Sequence, residues 1–330
     1  YRLREILTAR LSALAAVGAA ALFHPAWFAQ ETPPTKEQTL RVATEVVNIY
    51  AVVRDKNRPV AGLNREDFEV TEDDRPQEVR YFSRETDTPL TLGILIDTSG
   101  SQVRVLGVEQ QEAKAFLEQA ITKRDLAFLL RFDTEVELLQ DLTSNHRLLS
   151  KAIDSTVINS GAGGAVPGPF PSSGGGGTNL HDAVYLSARE LLKNEVGRKV
   201  IIVLSDGEDT GSKMKLSDAL EAAQKSDVII YSIAVIDRQF YYGRGSMGFS
   251  GDSILRRYAE QTGGRVIEVG RIKDTAQAFR EIAEELRTQY SLGYTPSNTR
   301  RNGSFRKLHV KVKGKDYKVL ARRGYYAPTE

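Results

Sequence analysis

From residue 90 to residue 288 the chain alternates short apolar runs with amphipathic segments, and this pattern constrains the fold more than any other feature of the sequence. The apolar runs predict strands near residues 91–96, 126–132, 135–140, 199–204, 228–236 and 265–269. The amphipathic segments predict helices near residues 103–121, 145–157, 179–193, 215–226, 252–262 and 274–288. Such an alternation indicates an α/β fold with a doubly wound, mostly parallel sheet. Asp133-Thr134-Glu135 joins two predicted strands directly, so we expect one antiparallel edge strand.

The two flanks of this region have the alternating apolar and polar pattern of β-strands. Residues 40–85 precede the region and residues 289–328 follow it. Neither flank is long enough to bury a core alone. We therefore expect them to pair into one small β-sandwich, with the α/β domain inserted between them. The expected organisation is a signal peptide at 1–30, an N-terminal β segment at 31–88, the α/β domain at 89–288 and a C-terminal β segment at 289–330.

Oxygen-bearing side chains follow two of the predicted strands. Asp97, Ser99 and Ser101 come directly after one apolar run, and Asp206 comes shortly after another. Thr178 lies between a run of glycines and a predicted helix. Ligands bind at the carboxyl ends of the strands in open α/β sheets, and carboxylates with hydroxyls suit Mg²⁺ or Mn²⁺ better than Zn²⁺. Taken alone, the Asp-x-Ser-x-Ser pattern also fits an ordinary strand-to-helix turn with capping serines.

Together these segments resemble a known family. Asp97-x-Ser99-x-Ser101, Gly177-Thr178-Asn179 and Ser205-Asp206-Gly207 are similar to the metal-ion-dependent adhesion site (MIDAS) of von Willebrand factor type A (VWA) domains, over about residues 89–288. The resemblance implies direct coordination by Ser99, Ser101 and Thr178, with Asp97 and Asp206 holding the ion partly through water. The flanks, Asp67–Phe82 and Tyr290–Pro296 through Arg323–Tyr326, resemble a bacterial secreted subgroup of VWA-related proteins.

Composition and the N-terminal sequence limit the possible chemistry, partners and location of the protein. The chain has no cysteine, which excludes disulfides, thiol catalysis and thiolate metal sites. The formal net charge is only +2, so nothing in the overall charge indicates nucleic acid as a partner. Three arginines before the apolar stretch Leu11–Phe23 indicate an export signal, and we expect a periplasmic or secreted protein. The alternative is an uncleaved N-terminal anchor, which would be the chain's one link to a membrane.

These features predict a non-enzymatic, metal-dependent protein-binding module. A divalent cation, Mg²⁺ or Mn²⁺, would accept a Glu or Asp of a protein partner as its last ligand. The sequence leaves two alternatives open: a Mg²⁺-dependent hydrolase or phosphoryl-transfer enzyme that uses Asp97, and a structural envelope protein with a vestigial site. The GxxxxGK[ST] phosphate-binding pattern is absent from the chain. The oligomeric state is not predicted.

Three further features have two interpretations each. Phe240, Tyr241 and Tyr242, together with Arg244, form either a partner-binding rim beside the metal ligands or a loop whose aromatic rings fold back onto the core. The Gly-rich segment at 160–177 is either a flexible lid or a tolerated insertion. His181 lies close to Thr178, but without a second His or a Cys it is expected to be a first-turn helix residue and not a ligand.

Overall fold

The computed structural model describes residues 46–56, 58–84, 88–159, 177–235 and 251–329. In chain order the strands are β1 (Val47–Asp55), β2 (Arg58–Pro59), β3 (Phe68–Glu72), β4 (Arg75–Gln77), β5 (Tyr81–Arg84), β6 (Leu90–Asp97), β7 (Leu126–Phe132), β8 (Val136–Thr143), β9 (Arg198–Leu204), β10 (Val228–Val235), β11 (Val266–Val269), β12 (Tyr290–Tyr294), β13 (Phe305–Val312), β14 (Lys318–Ala321) and β15 (Gly324–Tyr326). The helices are α1 (Leu106–Ala120), α2 (His146–Asp154), α3 (Leu180–Leu186), α4 (Leu216–Lys225), α5 (Gly251–Thr262) and α6 (Thr275–Arg287). The predicted signal peptide lies outside the described residues.

The larger of the two layered parts is a six-stranded sheet with helices on both faces. Its strand order is β11-β10-β9-β6-β7-β8. The strands pair in parallel except for β7 and β8, which pair antiparallel. Helices α1, α2 and α6 pack on one face, and helices α3, α4 and α5 pack on the other. The mostly parallel α/β sheet with one antiparallel edge is therefore confirmed.

Full burial of the central strands explains why their sequences are continuous apolar runs. Every residue of β6 and of β9 is buried. Within β6, Ile94 and Ile96 pack into the core on one face, while Leu95 packs into the core on the other. A strand covered on both faces has no solvent side that would require polar residues. The polar residues begin where the strands end, and this places them at the edge of the sheet.

Two helices differ from their predicted extents. Helix α1 begins at Leu106, because Gly100–Gln102 form a 3₁₀ turn in which the Gln102 N–H donates to the Ser99 carbonyl at 3.0 Å. Helix α3 ends at Leu186 and continues as a π-helical turn over Ser187–Leu191. That wider turn is closed by the Leu192 N–H, which donates to the Ser187 carbonyl at 3.0 Å. An amphipathic pattern does not distinguish these turns from regular α-helix.

The flanks form two antiparallel sheets, each built from both ends of the chain. One sheet has the order β14-β1-β12-β5, with β2 paired to β1, and the other has the order β15-β13-β3-β4. Strand β1 pairs with β12 and β14, and β3 pairs with β13. Buried side chains from both sheets share one core, including Ile49, Val70, Leu292 and Val310. The predicted sandwich from the two flanks is therefore confirmed.

The N-terminal flank contains a short hairpin. Strand β3 pairs with β4, with Val70 opposite Gln77. A tight turn at Asp73 and Asp74, whose φ angles are 46° and 63°, closes the hairpin. Tyr81 lies in β5 and pairs with Gly293 in the other sheet.

A buried carboxylate joins the β-sandwich to the α/β domain. Arg54 of β1 donates to Glu285 Oε1 on α6, and Arg265 Nε donates to the same oxygen at 2.6 Å. Glu285 is fully buried and Arg54 is only 6% exposed. Arg265 also pairs with Glu281 at 2.5 Å. Because a buried ion that loses its partner is strongly destabilising, this network ties β1 of the sandwich to the last helix of the α/β domain.

No helix in the described part of the chain is both long enough and apolar enough to cross a membrane.

The Glu285 network predicts an unequal effect of two neighbouring substitutions on α6. Glu285→Ala is expected to lower the free energy of unfolding by about 3–5 kcal/mol, because it leaves two guanidinium groups without their shared acid. Glu284→Ala removes the same group from an exposed position and is expected to change it by less than about 0.5 kcal/mol. Urea denaturation of both variants measures the difference. Equal stabilities would show that the network does not hold the two parts together.

Candidate metal centre

Two carboxylates lie next to each other at the carboxyl edge of the central sheet. Strands β6 and β9 pair in parallel with Ile96 opposite Leu204, so Asp97 at the end of β6 lies beside the loop that carries Asp206. Asp97 is fully buried and Asp206 is 2% exposed. The strand register alone therefore brings together two of the predicted site residues that are far apart in the sequence.

Hydrogen bonds hold both oxygens of Asp97. The Ser205 hydroxyl donates to Oδ2 at 2.6 Å, and the Ser99 N–H donates to Oδ1 at 2.9 Å. Ser205 itself accepts from the Gly207 N–H at 2.9 Å. The carboxylate therefore has one fixed orientation, which is set by the loop after β6 and by the loop after β9. This arrangement depends on the Ser-Asp-Gly sequence as well as on the Asp-x-Ser-x-Ser sequence.

A glutamine that the motif does not include links the remaining groups. Gln102 Nε2 donates to Ser101 Oγ at 3.2 Å and to Asp206 Oδ2 at 3.1 Å. Ser101 Oγ in turn lies 3.0 Å from Ser99 Oγ. Gln102 is 1% exposed, so this bridge is buried. The structure thus brings Asp97, Ser99, Ser101 and Asp206 into one hydrogen-bonded cluster, with Gln102 as a member that sequence reasoning missed.

Thr178 lies in the adjacent loop, on the same rim. Its N–H donates to Thr210 Oγ1 at 3.1 Å, and its carbonyl accepts from the Thr210 and Gly211 N–H groups at 3.0 and 3.2 Å. The next residue, Asn179, donates its side-chain amide to the Thr134 carbonyl at 2.7 Å. Thr178 is therefore anchored to the loop that follows Asp206 and, through Asn179, to the turn after β7. Within the described residues, its hydroxyl makes no hydrogen bond to the other four site residues.

The buried carboxylates of the site act on each other electrostatically. Burial, followed by the charge of Asp206, raises the pKa of Asp97 to about 7, against the opposing hydrogen bonds from Ser205 and Ser99. Burial likewise raises the pKa of Glu208, which also faces Asp206. Two neighbouring buried carboxylates repel each other unless a proton or a cation lies between them. A divalent cation would relieve this repulsion.

The chemistry of the groups present fits a hard divalent ion. The five predicted residues offer two carboxylates and three hydroxyls, and oxygen ligands of this kind suit Mg²⁺ and Mn²⁺. Buried acceptors without a hydrogen-bond partner also lie in this region, since Gln102 Oε1 and both carboxyl oxygens of Glu109 have none in the described part of the chain. Unsatisfied acceptors beside a site are what an ion with bound water would complete.

Glu109 is the second residue that sequence reasoning missed. It lies on the buried stripe of α1, between Leu106 and Ala113, where an apolar residue is expected. Burial, together with the charges of Asp97 and Asp206, raises its pKa to about 8. The sequence feature that could have identified Glu109 is an acidic residue on the apolar face of a predicted helix.

His181 has a structural environment. Its N–H donates to Asp209 Oδ1 at 2.9 Å, and its ring Nδ1 lies 3.0 Å from the Tyr258 hydroxyl. Burial lowers the pKa of His181, which favours the neutral imidazole. In the described residues, no group of three or more His, Cys, Asp or Glu side chains converges to hold a metal ion. The expectation that His181 is a first-turn helix residue agrees with its position in α3.

Two features singled out in the sequence lie outside the described residues. The rim of Phe240, Tyr241, Tyr242 and Arg244 lies outside the described residues, as does the Gly-rich segment up to residue 176. Both interpretations of each therefore stay open.

A comparison with protein-family models decides the classification. The model of the von Willebrand factor type A domain matches residues 91–285, which is more than half of the chain. The chain belongs to the VWA domain family. The matched segment contains all five MIDAS-type positions, and the resemblance to VWA domains is confirmed. The narrower resemblance to a bacterial secreted subgroup stays a prediction.

Solved structures of VWA-type proteins are similar to the chain at low sequence identity. BatB from Bacteroides thetaiotaomicron is 16% identical with a TM-score of 0.44, over 59% of this chain and 98% of BatB. Proximal thread matrix protein 1 from the mussel byssus, with a zinc-occupied MIDAS motif, is 15% identical with a TM-score of 0.48, over 65% of this chain and 49% of that chain. A von Willebrand factor type A protein from Catenulispora acidiphila is 12% identical with a TM-score of 0.47, over 87% of this chain and 74% of that chain. This chain thus spans about half the length of the mussel protein. A search of curated proteins found no match.

The loop that carries Asp206 gives a matched pair of glycine substitutions. Gly207 has a φ of +86°, and a Cβ there would lie 2.4 Å from the Gly251 carbonyl oxygen. Gly207→Ala is therefore expected to lower the free energy of unfolding by more than about 1 kcal/mol. Gly100 has ordinary backbone geometry with no atom within 4 Å of an added Cβ, so Gly100→Ala is expected to change it by less than about 0.5 kcal/mol. Urea denaturation of the two variants tests the contrast, and a Gly207→Ala protein as stable as wild type would contradict the geometry.

Proposed function

We propose that this VWA-domain protein is a non-enzymatic, metal-dependent protein-binding module. A divalent cation, Mg²⁺ or Mn²⁺, would be held by Asp97, Ser99, Ser101, Thr178 and Asp206, and a Glu or Asp of a protein partner would complete its coordination. The single observation that carries the proposal is the hydrogen-bonded cluster at the edge of the sheet, in which Ser99 and Gln102 link the buried carboxylates of Asp97 and Asp206 to the hydroxyls of Ser99 and Ser101.

The residues around the ligands preorganise the site. Ser205 fixes Asp97, and Gln102 fixes both Asp206 and Ser101. Fixed oxygens lose little conformational entropy when they bind an ion. A bound cation would supply positive charge and a coordination position for a carboxylate. With three of its five ligands uncharged, the ligand set alone leaves room for a negatively charged partner group.

The geometry supports binding over catalysis by Asp97. A carboxylate nucleophile must be accessible to its substrate and free to move toward it. Both oxygens of Asp97 already accept hydrogen bonds, from Ser205 and Ser99, and the residue is fully buried. The enzyme alternative therefore has no specific observation in its favour. A vestigial site is disfavoured because a decayed site has no reason to keep its two carboxylates buried and oriented.

Location and partner type form part of the same proposal. The arginine-rich, apolar N-terminus supports export to the periplasm or beyond. The formal net charge of +2 does not favour nucleic acid as a partner. The partner chemistry proposed here is therefore an exposed acidic side chain on another exported or extracellular protein.

Calorimetric titration of Mg²⁺ and Mn²⁺ into the full chain tests the metal site. Wild type is expected to bind, and Asp97→Ala is expected to lose at least about tenfold in affinity, because it removes a charged oxygen from the site. Asp141→Ala, which removes an exposed carboxylate from β8, is expected to bind like wild type. Asp97→Asn keeps the shape of the side chain and provides a second variant if the alanine protein does not fold. No binding by wild type, or equal binding by all four proteins, would contradict the proposal.

A further inference from the structure

The buried face of α1 contains one residue that does not fit a structural role. Its core-facing residues are Leu106, Glu109, Ala113, Phe116 and Leu117. Glu109 is fully buried, and neither of its carboxyl oxygens has a hydrogen-bond partner in the described part of the chain. Burying a carboxylate without partners is among the most unfavourable arrangements in a protein interior. An acid at this position therefore needs a compensating group that the protein atoms do not provide.

The position of Glu109 indicates where that group lies. Glu109 is close enough to Asp97 and Asp206 for the charges of both to act on it. Gln102, which contacts Asp206 directly, also has an acceptor without a partner, its Oε1 atom. Three buried acceptor atoms on two residues thus lie near the candidate metal centre and lack donors. Two residues that lack donors beside one site are better explained by something bound there than by two independent defects.

Direct coordination by Glu109 does not fit the geometry. No group of three or more His, Cys, Asp or Glu side chains in the described residues converges closely enough to hold an ion. Asp97, Asp206 and Glu109 are therefore too far apart to bind one ion together directly. A water molecule bound to the ion would bridge the gap, because its two O–H groups are donors and a cation strengthens them.

We propose that Glu109 is a third carboxylate of the metal centre and acts on the ion through a bound water molecule. This inference rests on the proposed function, since it presupposes that the ion binds. Glu109 is then a positioning residue that lies outside the five MIDAS-type ligands. It orients the water molecule and adds a third acidic group near the site, so that the ion is retained when no partner carboxylate is bound.

A purely structural role for Glu109 makes a different prediction. A neutral, protonated Glu109 would be a polar core residue, and its replacement would change stability by the same amount with and without metal. If Glu109 acts on the ion, its replacement instead changes the stability of the metal-bound protein more than that of the metal-free protein. Replacing Glu109 with glutamine would leave metal-free stability close to that of wild type, because glutamine is a neutral group of nearly the same shape, while the stabilisation by metal would become smaller.

The test is calorimetric titration of Mn²⁺ into full-length wild type, Glu109→Gln and Glu118→Gln. Glu118 is an exposed acid on the same helix and provides the matched control. Glu109→Gln is expected to weaken Mn²⁺ binding about 10-fold or more, the range typical of residues that orient metal ligands, while Glu118→Gln binds like wild type. Urea denaturation in EDTA and in saturating Mn²⁺ is expected to show the smaller metal stabilisation in Glu109→Gln alone.

A second variant keeps the test valid if Glu109→Gln does not fold. Glu109→Leu restores an apolar residue to the buried stripe, so it is expected to fold and to lose Mn²⁺ affinity to a similar extent. Equal Mn²⁺ affinity in wild type and in a folded Glu109 variant would overturn the role of Glu109 and leave the metal site standing. Absence of Mn²⁺ binding to wild type would overturn the proposed function and this inference together.

Discussion

The candidate site depends on the parallel pairing of β6 with β9, which sets two carboxylates side by side in a buried position. Asp97 and Asp206 are 2% exposed or less, and each raises the electrostatic free energy of the other. Hydrogen bonds from Ser205 and Gln102 orient the two carboxylates. We propose that a divalent cation completes this arrangement, with the hydroxyls of Ser99, Ser101 and Thr178 as its further ligands.

The β-sandwich forms by pairing between strands that precede and strands that follow the α/β domain in the sequence. Strands from residues before and after the α/β domain share both sheets, so the sandwich forms only when the two flanks meet. Glu285 on the last helix then binds Arg54 on β1, and the helix leads directly into β12. Helix α6 is hydrogen-bonded to the sandwich and also packs against the central sheet. A movement of α6 would therefore change contacts in both the sandwich and the α/β domain.

Hydrophobic periodicity was sufficient to predict the sheet, because β6 and β9 are buried on both faces and are largely apolar in sequence. Asp97 and Asp206 could be located for the same reason, because the end of each apolar run in the sequence marks the end of a strand. Contacts between distant residues could not be predicted: Arg54 and Glu285 are 231 positions apart. Gln102 and Glu109 lie outside the motif, and their importance is visible only when the burial of their side chains is known. The hairpin turn at Asp73 and Asp74 depends on two residues with left-handed backbone geometry, which is visible only in the structure.

The central claim is that three separate loops hold one metal ion at the edge of the sheet. Anomalous diffraction from crystals of the full chain grown with Mn²⁺ tests this claim most directly. We expect a single strong anomalous peak at about 2.1 Å from the hydroxyl oxygens of Ser99, Ser101 and Thr178, with Asp97 and Asp206 beside it. A crystal without a peak at this position, or with its strongest peak elsewhere on the protein, would contradict the claim.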